Sequence, residues 1–178
     1  YGIQYRLATS ETQMDCFSFA DGTILTRGQL FAQKPIYGTA GSETFCGGKD
    51  NDWFVAGAGS DILYGKDGND ILEGGAGNDV VTGGNGEDRY LFNLGDGQDT
   101  IVYASDNDTW YSYYNEDVLV FGAGISLSDL HLVKSGNDLI IQVGNSGDQV
   151  SLQSWYQQSG YFNLYYGYVC QLDNFQFT

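Results

Sequence analysis

From Gly38 to Leu91 the chain repeats itself every nine residues, and no other feature limits its fold so tightly. The blocks are GTAGSETFC from Gly38, GGKDNDWFV from Gly47, AGAGSDILY from Ala56, GKDGNDILE from Gly65, GGAGNDVVT from Gly74 and GGNGEDRYL from Gly83. The sixth position reads Glu43, Asp52, Asp61, Asp70, Asp79 and Asp88, and the eighth reads Phe45, Phe54, Leu63, Leu72, Val81 and Tyr90. After two extra residues, GDGQDTI from Gly95 restores the pattern with Asp99 and Ile101. A fixed period of this kind overrides any window-by-window reading, because each block must be one unit stacked on its neighbours.

Glycines at positions one, two and four let the backbone turn sharply and adopt positive φ. That turn aims carbonyl oxygens at one place, and the acid that follows adds a carboxylate, a set of hard oxygens suited to Ca²⁺. The three residues after the acid form a short strand whose eighth position points inward. Two blocks then make one coil of eighteen residues, and coils stack at the strand spacing of about 4.8 Å. On this register Asp52, Asp70 and Asp88 line one edge, while Glu43, Asp61 and Asp79 line the other. Like charges so close repel unless a divalent ion lies between them. Asp70 and Asp61 have partners on both sides; Asp52 and Asp88 have one regular partner each, which places Asp88 at an end of its column.

The blocks resemble the haemolysin-type calcium-binding nonapeptide of RTX (repeats-in-toxin) proteins, Gly-Gly-x-Gly-x-Asp-x-U-x with U large and apolar. GGAGNDVVT matches that motif at every fixed position, and its neighbours differ by one or two residues. The resemblance implies ions between stacked turns, held by carboxylates paired as Glu43 with Asp61, Asp52 with Asp70, Asp61 with Asp79 and Asp70 with Asp88. Asp79 with Asp99 makes a fifth pair across the insertion. The turn residues implied are Gly48, Asp50, Gly57, Gly59, Gly68, Gly75, Gly77, Gly84 and Gly86, for about four to five Ca²⁺ in all. Three departures stand out: Thr39 and Lys66 at position two, and Asp50 at position four. Asp50 can tolerate a left-handed backbone, but the site it borders is the less regular one.

Composition agrees. Of 178 residues, 23 are Asp or Glu and only 7 are Lys or Arg, a formal charge of −16. Such a chain repels nucleic acid and anionic lipid heads, and cations relieve its self-repulsion. It has no apolar run of the roughly 18 residues that span a bilayer. Cys16, Cys46 and Cys170 with one histidine, His131, make no zinc pattern. Cys16 and Cys170 lie near two related segments, where a disulfide and free thiols are both open, while Cys46 stands outside any pair.

The flanks read as β structure. Position seven should face outward yet holds Trp53, Ile62, Ile71 and Val80, so flanking segments should cover part of at least one face. Asp117 to Phe121 is a strand and Leu127 to Leu130 a helical turn. His131 to Lys134 and Asp138 to Val143 form a hairpin, and Gln149 to Trp155 a further strand. This run resembles the domain that follows calcium repeats in haemolysin-type proteins, through FGAGI at Phe121, Asp129-Leu130, GNDLII at Gly136 and VSLQSW at Val150. DCFSF at Asp15 and DNFQF at Asp173 repeat one another, as expected of a piece cut from a tandem array. Opening on Tyr1-Gly2-Ile3 fits that expectation, and Thr26 to Phe31 reads as a short capped helix.

The expected fold is all-β, a right-handed parallel β-roll flanked by an antiparallel β region. Its parts are residues 1–34 (the tail of a preceding module), 35–102 (the roll) and 103–178 (the flanking region). The expected function is a secreted or cell-surface bacterial calcium module, which the resemblance says leaves the cell unfolded by type I secretion and folds on Ca²⁺ outside. The alternatives are an adhesin module that grips a glycan or host surface protein, and a non-catalytic appendage of a secreted hydrolase. Adjacent modules of the parent chain are the other expected partners. Trp110, Tyr111, Tyr113, Tyr114, Trp155, Tyr156, Tyr161, Phe162, Tyr165, Tyr166 and Tyr168 could serve the adhesin reading or simply pack on the roll. No nucleophile–base pair is visible, so catalysis is not expected. His131 reads as a solvated hairpin residue, and Asp138 and Asp148 as hairpin-turn residues. Asp106, Asp108, Glu116 and Asp117 form a weak further oxygen cluster.

Overall fold

The structure is a computed structural model that describes residues 16–18, 20, 23–26, 29–30, 34–102, 117–156 and 172–178. Strands β1 (Cys16–Ser18) and β2 (Ile24–Thr26) make a small antiparallel ribbon. Thr26 and Gln29 exchange main-chain and side-chain hydrogen bonds, the reciprocal cap expected of a helix starting there. Then come β3 (Ile36–Tyr37), β4 (Thr44–Cys46), β5 (Trp53–Gly59), β6 (Ile62–Asp67), β7 (Ile71–Gly77), β8 (Val80–Asn85), β9 (Arg89–Phe92) and β10 (Gln98–Ile101). Odd-numbered strands fall in one sheet and even-numbered strands in the other, all parallel to their neighbours. Partners such as Trp53 and Ile71, or Ile62 and Val80, are eighteen residues apart. This is the parallel β-roll that the nine-residue period requires.

Position eight fills the space between the sheets. Phe54, Leu63, Leu72, Val81 and Tyr90 are all buried, each worth roughly 1.5–3 kcal/mol of apolar transfer for the aliphatic and Phe side chains. Position seven alternates outward: Trp53, Ile62 and Ile71 are half-buried and Val80 is exposed. Val80 is the most open of these positions, and residues 103–116 and 157–171, which the expected cover includes, lie outside the described residues.

Both sheets continue past residue 102. β11 (Asp117–Phe121) adds parallel to β9, and β15 (Leu172–Phe177) adds parallel to β11. In the other sheet β14 (Asp148–Leu152) adds parallel to β10. Among the described residues of these two sheets, antiparallel pairing is confined to β12 (Leu130–Ser135), β13 (Asp138–Val143) and β14, introduced by a 3₁₀ turn at Leu127–Asp129. Alternation drives these strands as expected, with Leu139, Ile141, Val143, Val150 and Leu152 buried. Three of the flanking strands are thus further rungs of the roll. Local patterning predicts each strand but not its neighbour, because β14 meets β10 across some fifty residues.

Candidate calcium-binding edges of the roll

The position-six acids form two continuous columns. On one edge the Asp52 amide donates to Asp70 Oδ1 at 2.7 Å, and the Asp70 amide to Asp88 Oδ1 at 2.9 Å. On the other edge the Glu43 amide reaches Asp61 Oδ1 (2.7 Å), Asp61 reaches Asp79 (2.8 Å) and Asp79 reaches Asp99 (3.0 Å). All five expected pairs are brought together, including the one across the insertion, where Gly77 and Gly97 bridge the longer coil. Asp61, Asp70, Asp79, Asp88 and Asp99 each spend one oxygen on a neighbouring acid's backbone. The other oxygen is the informative one.

In Asp61, Asp70, Asp79 and Asp88 the Oδ2 atom is buried and has no hydrogen-bond partner. Beside it lies another acceptor. A side chain on Gly65 would run into both Asp70 Oδ2 and the carbonyl oxygen of Gly83 in the next coil. A side chain on Gly47 would likewise meet the Gly65 carbonyl and Asp52 Oδ2, though that oxygen also accepts the Gly48 amide. Acceptors facing acceptors with no donor between them are costly in a buried place. A hard cation satisfies them, so these residues fit Ca²⁺. Among the described residues no three His, Cys, Asp or Glu side chains form a metal cluster, so such an ion would draw its oxygens from paired carboxylates and backbone carbonyls.

The turns are built for this close stacking. Gly57 (φ +108°) and Gly75 (φ +88°) hold left-handed backbone, and a methyl group on Gly75 would overlap the Gly57 carbonyl oxygen. The pattern of positive φ at positions two and four runs through Gly57 and Gly59, Lys66 and Gly68, Gly75 and Gly77, and Gly84 and Gly86. Lys66 adopts φ +82° despite its side chain. The first two turns differ. Gly48 and Asp50 are absent from the positive-φ set, so Asp50 does not take up the left-handed backbone it could tolerate. Gly48 still donates its amide to Asp52 Oδ2 at 2.9 Å, and the Asp50 carbonyl still lies against Gly68.

Burial and like charge show in the acids themselves. Burial, followed by repulsion from Asp88, Asp52 and Asp67, pushes the Asp70 carboxyl up to about 7, against the amide bond from Asp52 that favours its charge. Asp88 rises to about 6 through burial. Asp99 rises to about 8 through burial and then the charges of Asp79, Asp96 and Asp148. Asp79 is raised for the same reasons, burial first. Glu43 departs from the set: hydrogen bonds from the Thr39 hydroxyl and amide hold it below the usual range, because it sits in the open first turn.

Two features lie outside the expected pattern. The Asp52 column does not end at Asp88, since the Asp88 amide donates to Asp117 Oδ1 at 2.8 Å. Asp88 therefore has neighbours on both sides, which corrects its expected terminal place. Asp106, Asp108 and Glu116 lie outside the described residues. Position five also makes a ladder, with the amides of Ser60, Asn69 and Glu87 donating to Ser42 Oγ, Asn51 Oδ1 and Asn69 Oδ1. The run of Ser, Asn and Glu at that position was the available signal.

Asp148 closes the hairpin turn as expected, pairing with Val143 at the start of β14, and also reaches beyond it. It is buried and accepts the amides of Gly95 (2.8 Å) and Gly97 (3.2 Å) and the Ser146 hydroxyl (2.7 Å). Burial alone would raise its carboxyl, but these donors outweigh it and hold it low. Asp138 accepts the Ser154 amide at 2.7 Å, and His131 is exposed on β12 as expected. Cys46 is free and exposed. Cys170, the side chain of Cys16, residues 110–114 and 161–168 lie outside the described set, while Trp155 packs against the core.

Comparison with known proteins agrees with the period. The family model of the RTX calcium-binding nonapeptide repeat, in four copies, matches residues 37–72, 55–90 and 64–98. A stretch of 71 residues is 37% identical to the iron-regulated protein FrpA of Neisseria meningitidis serogroup C, covering 40% of this chain and 6% of that protein. Among solved structures, a subunit of the Azotobacter vinelandii mannuronan C5-epimerase is similar with a TM-score of 0.45, at 25% identity over 65% of this chain and 72% of that one. The extracellular lipase LipA of Serratia marcescens is similar with a TM-score of 0.47, at 18% identity over 84% of this chain and 21% of its own length.

Proposed function

We propose, from the premise that residues 37–98 are RTX calcium-binding nonapeptide repeats, that this chain is a calcium-triggered folding module of a secreted bacterial protein. The observation that carries the reading is the set of buried, unpartnered Oδ2 atoms on Asp61, Asp70, Asp79 and Asp88. The holding residues would be Glu43, Asp52, Asp61, Asp70, Asp79, Asp88 and Asp99, with carbonyls of the stacked turns. When bound, Ca²⁺ supplies two positive charges among oxygens that otherwise repel one another. The chain's own part is to stack those oxygens: positive-φ turns bring the carbonyls close, position eight anchors each coil, and the amide bonds between acids fix each carboxylate's direction. Where calcium is scarce, charge repulsion works against the roll; outside the cell, at the ~10⁻⁴–10⁻³ M affinities of extracellular modules, binding and folding are coupled. The module carries no catalysis of its own and stabilises whatever it is joined to.

Circular dichroism and calcium titration test this. The chain in chelator is expected to lack the β signal and to gain it cooperatively with Ca²⁺. Mg²⁺ should fail, since it dehydrates reluctantly and demands octahedral geometry. A full β spectrum in chelator, unchanged by calcium, would defeat the reading.

A further inference from the structure

We propose that the free edge of β15 is the joint between successive copies of this module. Where a second copy follows in line, β15 of the first is also β1 of the second, and the strand equivalent to β2 closes on it antiparallel. This joint is made by strand pairing and not by metal, so it stands or falls apart from the calcium reading.

Three observations converge on it. β1 and β15 belong to one sequence pattern, Asp15-Cys16-Phe17-Ser18-Phe19 against Asp173-Asn174-Phe175-Gln176-Phe177, yet each shows a different neighbour. β1 pairs antiparallel with β2, Phe17 opposite Leu25, and β15 pairs parallel with β11, Phe175 opposite Leu119. Among the described residues each strand ends its sheet, so each lacks the neighbour that its twin has.

Second, the two pairings use opposite edges, so one strand can hold both. Thr178 donates its amide to the Phe121 carbonyl at 3.1 Å. Main-chain groups alternate along a strand, so those of Gln176 also face β11, while those of Phe175 and Phe177 face outward. In the ribbon Thr26 gives its amide to Gln29 Oε1 at 2.9 Å, away from β1. The bonds across the ribbon therefore run through Leu25 and Phe17. Phe17 meets β2 along the same edge that Phe175 leaves open.

Third, the open rung is apolar where a finished end would be polar. Phe92, Phe121 and Phe177 stand in register, and the Phe175 and Phe177 rings stack on the buried Phe121 at 6.4 and 5.5 Å. Yet Phe175 is 42% and Phe177 37% exposed. The terminal unit of a stacked fold needs a polar cap or another unit. A β2-like strand supplies the next unit, because Leu25 is half-buried opposite Phe17 and its counterpart would lie opposite Phe175.

The test extends the whole chain after Thr178 with a second copy of residues 21–33, Thr178 taking the place of Ala20, and compares it with a scrambled tail of the same composition. Amide hydrogen exchange at saturating calcium reads the edge. Exchange at Phe175 and Phe177 is expected to slow about tenfold or more with the native tail, and to match the unextended chain with the scrambled one. Equal exchange with both tails overturns the joint, as does a native tail that alone prevents folding. If neither extended chain folds, the unextended chain with a synthetic peptide of residues 21–33 decides, at about the millimolar concentration that a short tether provides. Slowed exchange at Phe175 then supports the joint, and unchanged exchange overturns it.

Discussion

Asp70→Asn should change sign with calcium. Asp70 is fully buried, gives Oδ1 to the Asp52 amide, and has acidic neighbours in both flanking coils, Asp52 and Asp88. Asparagine keeps the hydrogen bond and removes the charge, so a residue that merely shapes a turn would tolerate it in any buffer. A shared ligand would not. At about 10 mM Ca²⁺ a site of ~10⁻⁴–10⁻³ M affinity stabilises the fold by roughly 1.5–3 kcal/mol, so losing two sites should cost about 3–5 kcal/mol. Asp52→Asn, with one neighbour in the column, should cost about half as much. In chelator the order reverses, because the charge being removed is buried and faces like charges, and Asp70→Asn should then be more stable than wild type. The assay is urea unfolding at 10 mM Ca²⁺ and, in chelator, the size of any residual β signal, both read by circular dichroism. Equal losses for Asp70→Asn and Asp52→Asn in calcium, or less residual β signal in chelator for Asp70→Asn than for wild type, would refute the shared-ligand argument.

Three more outcomes follow from the same geometry. In chelator, residual roll structure should be favoured by acid: Asp70, Asp88 and Asp99 titrate near 7, 6 and 8 in the roll against about 4 unfolded, so the fold takes up protons and loses stability as pH rises from about 4 to 8. A chelated chain whose helicity-free β signal grows with pH over that window would contradict this. Gly75→Ala should cost more than about 3 kcal/mol in calcium, because φ is +88° and the methyl overlaps the Gly57 carbonyl; a midpoint within 1 °C of wild type by calorimetry would show the turn to be slack. Lys66→Gly should raise stability by about 1 kcal/mol by relieving φ +82°, and a lower melting temperature at saturating calcium would show that its side chain matters more than its backbone.

What could be read from residues alone was whatever the period encodes. The sixth and eighth positions fix which side chains point to the edge and which to the interior, and all five acid pairs follow by adding eighteen or, at Asp99, twenty. The hairpin of β12 and β13 was legible from alternation around Gly136-Asn137. The place of Asp117 in the column was not, because no glycine-rich block precedes it: residues 98–116 hold no glycine. Its place comes from β11 lying on β9, a contact between distant segments that no local window contains. Asp148 was legible only in part for a similar reason: Ser146 and Gly147 mark the turn it closes, whereas its further bonds from Gly95 and Gly97 lie some fifty residues away. Asp50 shows the converse, where the repeat is legible but one substitution lets the backbone relax away from it.

The reach of Asp148 back to Gly97, over 51 residues, bears on the order in which the molecule assembles. Rungs eighteen apart close cheaply, and spanning 51 residues instead of 20 costs only about 0.8 kcal/mol more in loop entropy. That small charge is met once, at the end of the roll where the coil is longest and the turn has the fewest repeat partners above it. With Asp148 seated, Gly95 and Gly97 are held, and β10 becomes a fixed starting rung with β14 already alongside. The opposite end begins with two relaxed turns and a half-buried Phe45. Growth of the roll should therefore run against the direction of synthesis, from the clamp toward the first block, and pulling on the chain from its start should peel rungs off singly while the clamped end yields last.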